Sequence, residues 1–126
     1  MFRKTLGNYG ELVARNILEQ QGYLIIETRF HTRYGEIDLI AKHHGQLVFI
    51  EVKTRIETAY GTGLEAITRQ KRKHLIRTAL CYLQRKNYRD YPCRFDILAL
   101  TLDHQGKLLR HELIVNAFGV EGGNYY

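Results

Sequence analysis

A short hairpin most constrains what this chain can become. Glu36 to Lys42 and Gln46 to Thr54 read as two strands, joined by His43-His44-Gly45, a tight-turn signal. An even-length turn centred on His44-Gly45 pairs Ile40 with Phe49, Asp38 with Glu51, and Glu36 with Lys53. Successive side chains alternate faces, so Asp38, Glu51 and Lys53 project together at one end of the hairpin. Ile37, Leu39, Ala41, Val48, Ile50 and Val52 fill the other side.

Two carboxylates directly opposed in an antiparallel pair repel, at a cost of a few tenths to about 1 kcal/mol. Strands this apolar have no structural need of such a pair. A divalent cation removes the conflict, and Mg²⁺ is commonly held by one or two carboxylates together with substrate phosphate oxygens. Lys53 beside the pair can position an attacking water or offset charge building on a phosphate. The bland alternative is an exposed hairpin end in which Glu36 and Glu51 make weak surface ion pairs with Lys53.

The rest of the chain supplies a scaffold for this hairpin. Leu6, Gly10, Val13, Ala14, Ile17 and Leu18 recur at helical spacing over residues 5 to 21, and Gly22 stops the helix. Tyr23 to Thr28 reads as a strand and Arg29 to Gly35 as a polar connection. Arg55 to Gly63 is a loop, after which Thr62 and Glu65 form a capping box opening a long helix to about Lys86. Cys93 to Leu102 is a near-continuous apolar run typical of a buried strand. Asp103-His104-Gln105-Gly106 turns the chain into a last strand, Leu108 to Val115, and a mobile tail is expected from Gly119 onward. The order α-β-β-β-α-β-β predicts a single α/β domain over residues 1–126, a central mixed sheet of five strands flanked by helices.

Charge points to the partner. The 126 residues carry a net +6, with a sequence pI near 9.4. Nine basic residues lie between Arg69 and Arg94, opposed only by Asp90, a local net of +8. A basic stretch beside a neutral body is the footprint of a phosphate-backbone binder, so Arg69, Lys71, Arg72, Lys73 and Arg77 are candidate nucleic-acid contacts. Arg29, Arg33 and Arg55 surround the hairpin end and either touch phosphate or balance its carboxylates. No run approaches the ~18 apolar residues of a membrane helix, and the first residues lack the apolar core of a secretory signal. Cys81 and Cys93 have no zinc-ligand spacing, which fits a reducing, cytoplasmic compartment, and both are expected to pack in the interior. His31, His43, His44, His74, His104 and His111 are scattered and expected at surfaces or turns. Asp96, in an apolar strand, is expected to be paired, with Arg94 the first candidate.

Two further residues are ambiguous by spacing. Glu11 lies on the helical wheel beside Gly7, Ala14 and Leu18, at the edge of the apolar face. Lys71 interrupts the stripe Leu64, Ile67, Leu75, Ala79 and Leu83, and either snorkels or points at the same cleft as the carboxylates.

Gly10-Glu11, Gly35-Glu36-Ile37-Asp38-Leu39-Ile40, Val48-Phe49-Ile50-Glu51-Val52-Lys53-Thr54-Arg55, Lys71 and Arg94-Phe95-Asp96 together resemble the bacterial YraN family. That family is similar to the PD-(D/E)XK nuclease superfamily, with archaeal Holliday-junction resolvases its nearest match in size and motif layout. The resemblance implies a restriction-endonuclease-like core and a Mg²⁺- or Mn²⁺-dependent endonuclease acting on DNA, at branched or flapped structures. It implies Asp38, Glu51 and the Val52 carbonyl as metal ligands, Lys53 as the catalytic lysine and Glu11 as a helix-borne acid assisting a metal. Resolvase-like relatives suggest a homodimer. Ile37 stands where the superfamily motif has proline, a residue that shapes a strand and does no chemistry. The alternative is a non-catalytic nucleic-acid-binding protein whose nuclease-like site is vestigial or partner-dependent. No membrane partner is expected.

Overall fold

His44 and Gly45 both take left-handed backbone, at φ 51° and 75°, as a two-residue hairpin turn of right-handed twist requires. The turn closes the pair His43↔Gln46, and from it the ladder runs through Lys42↔Leu47, Ala41↔Val48 and Ile40↔Phe49 to Leu39↔Ile50. The computed structural model describes residues 2–57 and 67–119, with side chains from Tyr9 onward. Its elements are α1 (Phe2–Gln20), β1 (Leu24–Thr32), β2 (Gly35–His43), β3 (Gln46–Ile56), α2 (Arg69–Arg85), β4 (Cys93–Leu102) and β5 (Leu108–Phe118). The five strands form one sheet in chain order. Only β3 and β4 run parallel, which makes the sheet mixed.

Each helix covers one face, as the predicted α/β arrangement requires. Under α2, Phe30, Ile40, Phe49 and Phe95 pack with Leu75, Ile76, Ala79, Tyr82 and Leu83. Under α1, Leu39, Ala41, Val48, Ile50, Leu98 and Leu100 pack with Ala14 and Leu18. Among the described residues, no helix is long and apolar enough to cross a membrane.

Several features depart from expectation, β3 and β5 first, which run on to Ile56 and Phe118 past the expected Thr54 and Val115. β1 continues through Arg29 to Thr32 and pairs with β2 up to Thr32↔Gly35, where a polar connection was expected. Within that extension Phe30 alone is buried, too thin an apolar signal to mark an edge strand. Helix α2 begins at Arg69, capped by Thr68, whose hydroxyl accepts from the Lys71 amide at 3.1 Å. The Thr62–Glu65 capping box and the tail beyond Gly119 lie outside the described residues. Finally, Ile37 joins Ile40 in the cluster beneath α2, although strict alternation places it with Leu39. Ile37 pairs with Phe30 next to Arg29, which is left-handed at φ 53°, and the β1–β2 register shifts between Ile25 and Glu27. A left-handed residue in a strand bends it and re-aims its neighbours.

Gly10 sets how closely α1 approaches the sheet. A methyl at that position would stand 2.9 Å from Thr54 Oγ1 on β3. Threonine is stiff at χ1 and cannot yield freely. Gly10→Val is therefore expected to cost about 2 kcal/mol in urea denaturation, and Thr54→Ala in the same chain should restore more than half of it. An unchanged urea midpoint for the single variant would show that α1 does not sit this close.

Candidate functional site

The ladder between β2 and β3 stops one pair short of the carboxylates. Its last partners are Leu39 and Ile50, and Asp38 and Glu51 come next, where the strands part. Asp38 enters the opening: its Oδ2 accepts the Val52 backbone amide at 2.7 Å. The Glu51 carboxyl lies beside it, close enough to disfavour a second negative charge on Asp38. Burial, then the Glu51 hydrogen bond and charge, push Asp38 up to about 8, against the opposing pull of the Val52 amide and Lys71. The expected juxtaposition thus exists, made by a side chain replacing a ladder rung.

Glu51 is the less satisfied partner. Its side chain is 11% exposed, and Oε2 is buried without a hydrogen bond among the described residues. Lys71 Nζ stands 3.5 Å away, an ion-pair distance. The choice left open for Lys71 is decided: it points at the carboxylates from the first turn of α2. Alternation puts Lys53 and Arg55 on the Glu51 side of β3, and both are half-buried.

The other candidates have partners of their own. Glu11 is half-buried and pairs with Arg29 Nη2 at 2.8 Å, so Arg29 balances the helix acid. Among the described residues, no three of His, Cys, Asp and Glu converge in a metal-sized group. Glu36 is exposed and lies across from His31 on β1, while on its β3 side the paired ladder ends at Leu39↔Ile50, before the level of Lys53.

The basic residues of α2 divide by face. Arg69, Lys73 and Arg77 recur every fourth residue and, with Gln70 and His74, line an open cleft of about 520 Å³. Arg72 is exposed beside them. Arg77 and Arg33 both lie over the Tyr34 ring, at 5.6 and 5.0 Å from its centroid, which joins the β1–β2 turn to this ridge. Arg33 also donates to the Tyr34 hydroxyl at 2.9 Å.

At the other end of the hairpin lies a buried polar hub. Arg94 Nε meets Asp96 Oδ1 at 3.0 Å, the expected pairing. Its guanidinium also donates to Gln46 Oε1 at 2.8 Å, to the Tyr23 hydroxyl at 3.1 Å and to His43 Nδ1 at 2.6 Å. Tyr23 donates to Asp96 at 2.7 Å, and burial with that carboxylate pushes its hydroxyl up to about 12. His43 is therefore no plain turn residue. It stacks on Tyr23 at 3.9 Å, and burial holds its imidazole below the ordinary range. Cys93 is exposed at the start of β4, contrary to the expected packing role, and Cys81 is half-buried. Spacing could not reveal the hub, because Tyr23, the His43–Gln46 turn pair and Arg94 come from three separate places in the chain.

The model of the family described as "Uncharacterised protein family UPF0102" matches residues 10–100, from Gly10 past every site residue named above. The chain belongs to the UPF0102 family. A UPF0102 protein of Symbiobacterium thermophilum is 45% identical over 115 residues, covering 91% of this chain and 97% of that protein. One from Caldanaerobacter subterraneus subsp. tengcongensis is 39% identical over 118 residues, covering 92% and 96%. This UPF0102 chain is thus similar to these two relatives over nearly their whole length.

Proposed function

We propose that this UPF0102 chain is a Mg²⁺- or Mn²⁺-dependent endonuclease of the PD-(D/E)XK type, hydrolysing phosphodiester bonds in branched or flapped DNA. The observation that carries the reading is the Asp38–Glu51 pair, two buried neighbouring carboxyls of which one has an oxygen without a hydrogen bond among the described residues, with Lys53 two residues further along the same face. A site built for stability alone has no use for two buried carboxyls in contact.

The donor set fits a hard divalent cation: two carboxyl oxygens, one of them buried without a hydrogen bond, are oxygen ligands awaiting charge. Asp38, Glu51 and the Val52 carbonyl would hold the ion. When bound, it supplies Lewis-acid polarisation of the phosphate and makes water more acidic. The chain's own groups do the rest. The Val52 amide fixes the Asp38 carboxyl in the gap between strands, which keeps both carboxyls aimed at one point. Lys53 offsets the charge gathering on the phosphate and positions the incoming water. Glu11, held by Arg29, stands on the helix side as the assisting acid. Arg69, Lys73 and Arg77 offer a row of cations about 6 Å apart along α2 to the nucleic-acid backbone.

The test is cleavage of labelled linear, flapped and four-way DNA with Mn²⁺. Glu51→Ala and Lys53→Ala are each expected to lower the rate by about 10²-fold or more, with binding retained. Cleavage undiminished in both variants sinks the site. Tight, salt-sensitive binding by a wild type that never cleaves would leave the non-catalytic binding protein as the reading.

A further inference from the structure

The carboxylate pair already has a cation of its own. Lys71 lies one helical turn before Leu75, which is buried beneath α2, so its stem extends the buried stripe towards β3. Its ammonium stands 3.5 Å from Glu51 Oε2, too far for a hydrogen bond and close enough for strong attraction. The lysine is 48% exposed while Glu51 is 11% exposed, so the ammonium sits between the buried oxygen and solvent. The other basic residues of this turn behave differently. Arg69 and Lys73 line the open cleft and Arg72 is exposed, so Lys71 is the α2 cation turned towards the carboxylates.

We infer that Lys71 is the resident counter-ion of this pair and that a divalent cation takes its place. The inference rests on the metal-dependent reading above and names the regulation of that same site. An oxygen ligand of Mg²⁺ or Mn²⁺ lies little more than 2 Å from the ion. An ammonium held at 3.5 Å from the same buried oxygen then stands against a second cation at close quarters. Binding of either therefore weakens the other by the same factor. Lys71 swings out as the ion enters, and its released charge becomes available to the phosphate side of the site. Without metal, it keeps Glu51 compensated and the site closed to adventitious monovalent ions.

Calorimetric titration of the full-length protein with Mn²⁺ alone tests this, using wild type, Lys71→Met and Lys71→Arg. Methionine keeps the stem and removes the charge, and is expected to tighten Mn²⁺ by about fivefold or more. Arginine keeps the charge and grips a carboxylate with a two-pronged fork, so exchange predicts weaker Mn²⁺ binding than wild type. Through-space repulsion alone would leave arginine equal to lysine, and that result overturns the exchange. Equal affinity in all three proteins also overturns it while leaving the metal site standing. No Mn²⁺ uptake by any of the three overturns the metal-dependent reading and the exchange together.

Discussion

Asp38→Asn is expected to make the metal-free protein more stable than wild type above pH 8, and no more stable than wild type near pH 5. Asparagine can accept the Val52 amide through its oxygen and turn its nitrogen to Glu51, so it keeps the Val52 bond and faces the second carboxyl without needing a proton. The wild type does need one. Asp38 in the folded state holds its proton to about 8, whereas an unfolded aspartate releases it near 3.9. Between those values the folded chain binds one proton more than the unfolded chain. Its stability therefore falls as pH rises, at a limiting slope of about 1.4 kcal/mol per pH unit, and levels off above about pH 8. Other titrating groups are common to both proteins and cancel in the difference. Urea denaturation at intervals from pH 5 to 9 measures that difference directly. Addition of Mg²⁺ at pH 8.5 should restore the wild type and leave Asp38→Asn unmoved. Parallel stability profiles for the two proteins would mean that the carboxyls share no proton.

Asp96→Ala should cost about 3–5 kcal/mol, a large part of the stability of a domain this size. The carboxylate is almost fully buried. It accepts from Arg94, from the Tyr23 hydroxyl and, at 2.9 Å, from the Asn116 amide that brings β5 onto β4. Its removal strands the guanidinium of Arg94, itself 7% exposed, among neighbours that are neutral. A buried charge without its counter-charge is the expensive half of a broken ion pair. The same variant loosens the hairpin tip, because Gln46 and His43 are tied to β4 through Arg94. The urea midpoint gives the answer, and a loss below about 1 kcal/mol would show that the hub contributes packing and little electrostatics.

These two sites differ in how visible they were before any tertiary structure. The contact of Asp38 with Glu51 follows from turn length and strand alternation, since a two-residue turn leaves little freedom of register. What the register could not supply is the parting of the strands at Leu39↔Ile50, where Asp38 gives up a place in the ladder and takes the Val52 amide instead. Arg94–Asp96 was legible as a pair because two polar residues in a buried strand must compensate each other. The tyrosine, histidine and glutamine that complete the hub were not, since each is unremarkable in its own segment.

The helices show where local order stops being informative. Periodicity alone determined that α1 and α2 exist and which stripe of each is apolar, because a helix must bury the side chains that water rejects. It also determined the element order and the mixed sheet, since a strand returning through a helix beside the hairpin has to run parallel to its neighbour. Only the tertiary structure decided which charge meets which. Glu11 and Lys71 both sit at the margins of apolar stripes, yet one reaches Arg29 and the other Glu51. A helical wheel fixes an angle about an axis and carries no information on what the sheet presents opposite that angle. Ion pairs between elements depend on that second surface, and it forms only when the strands and helices have packed.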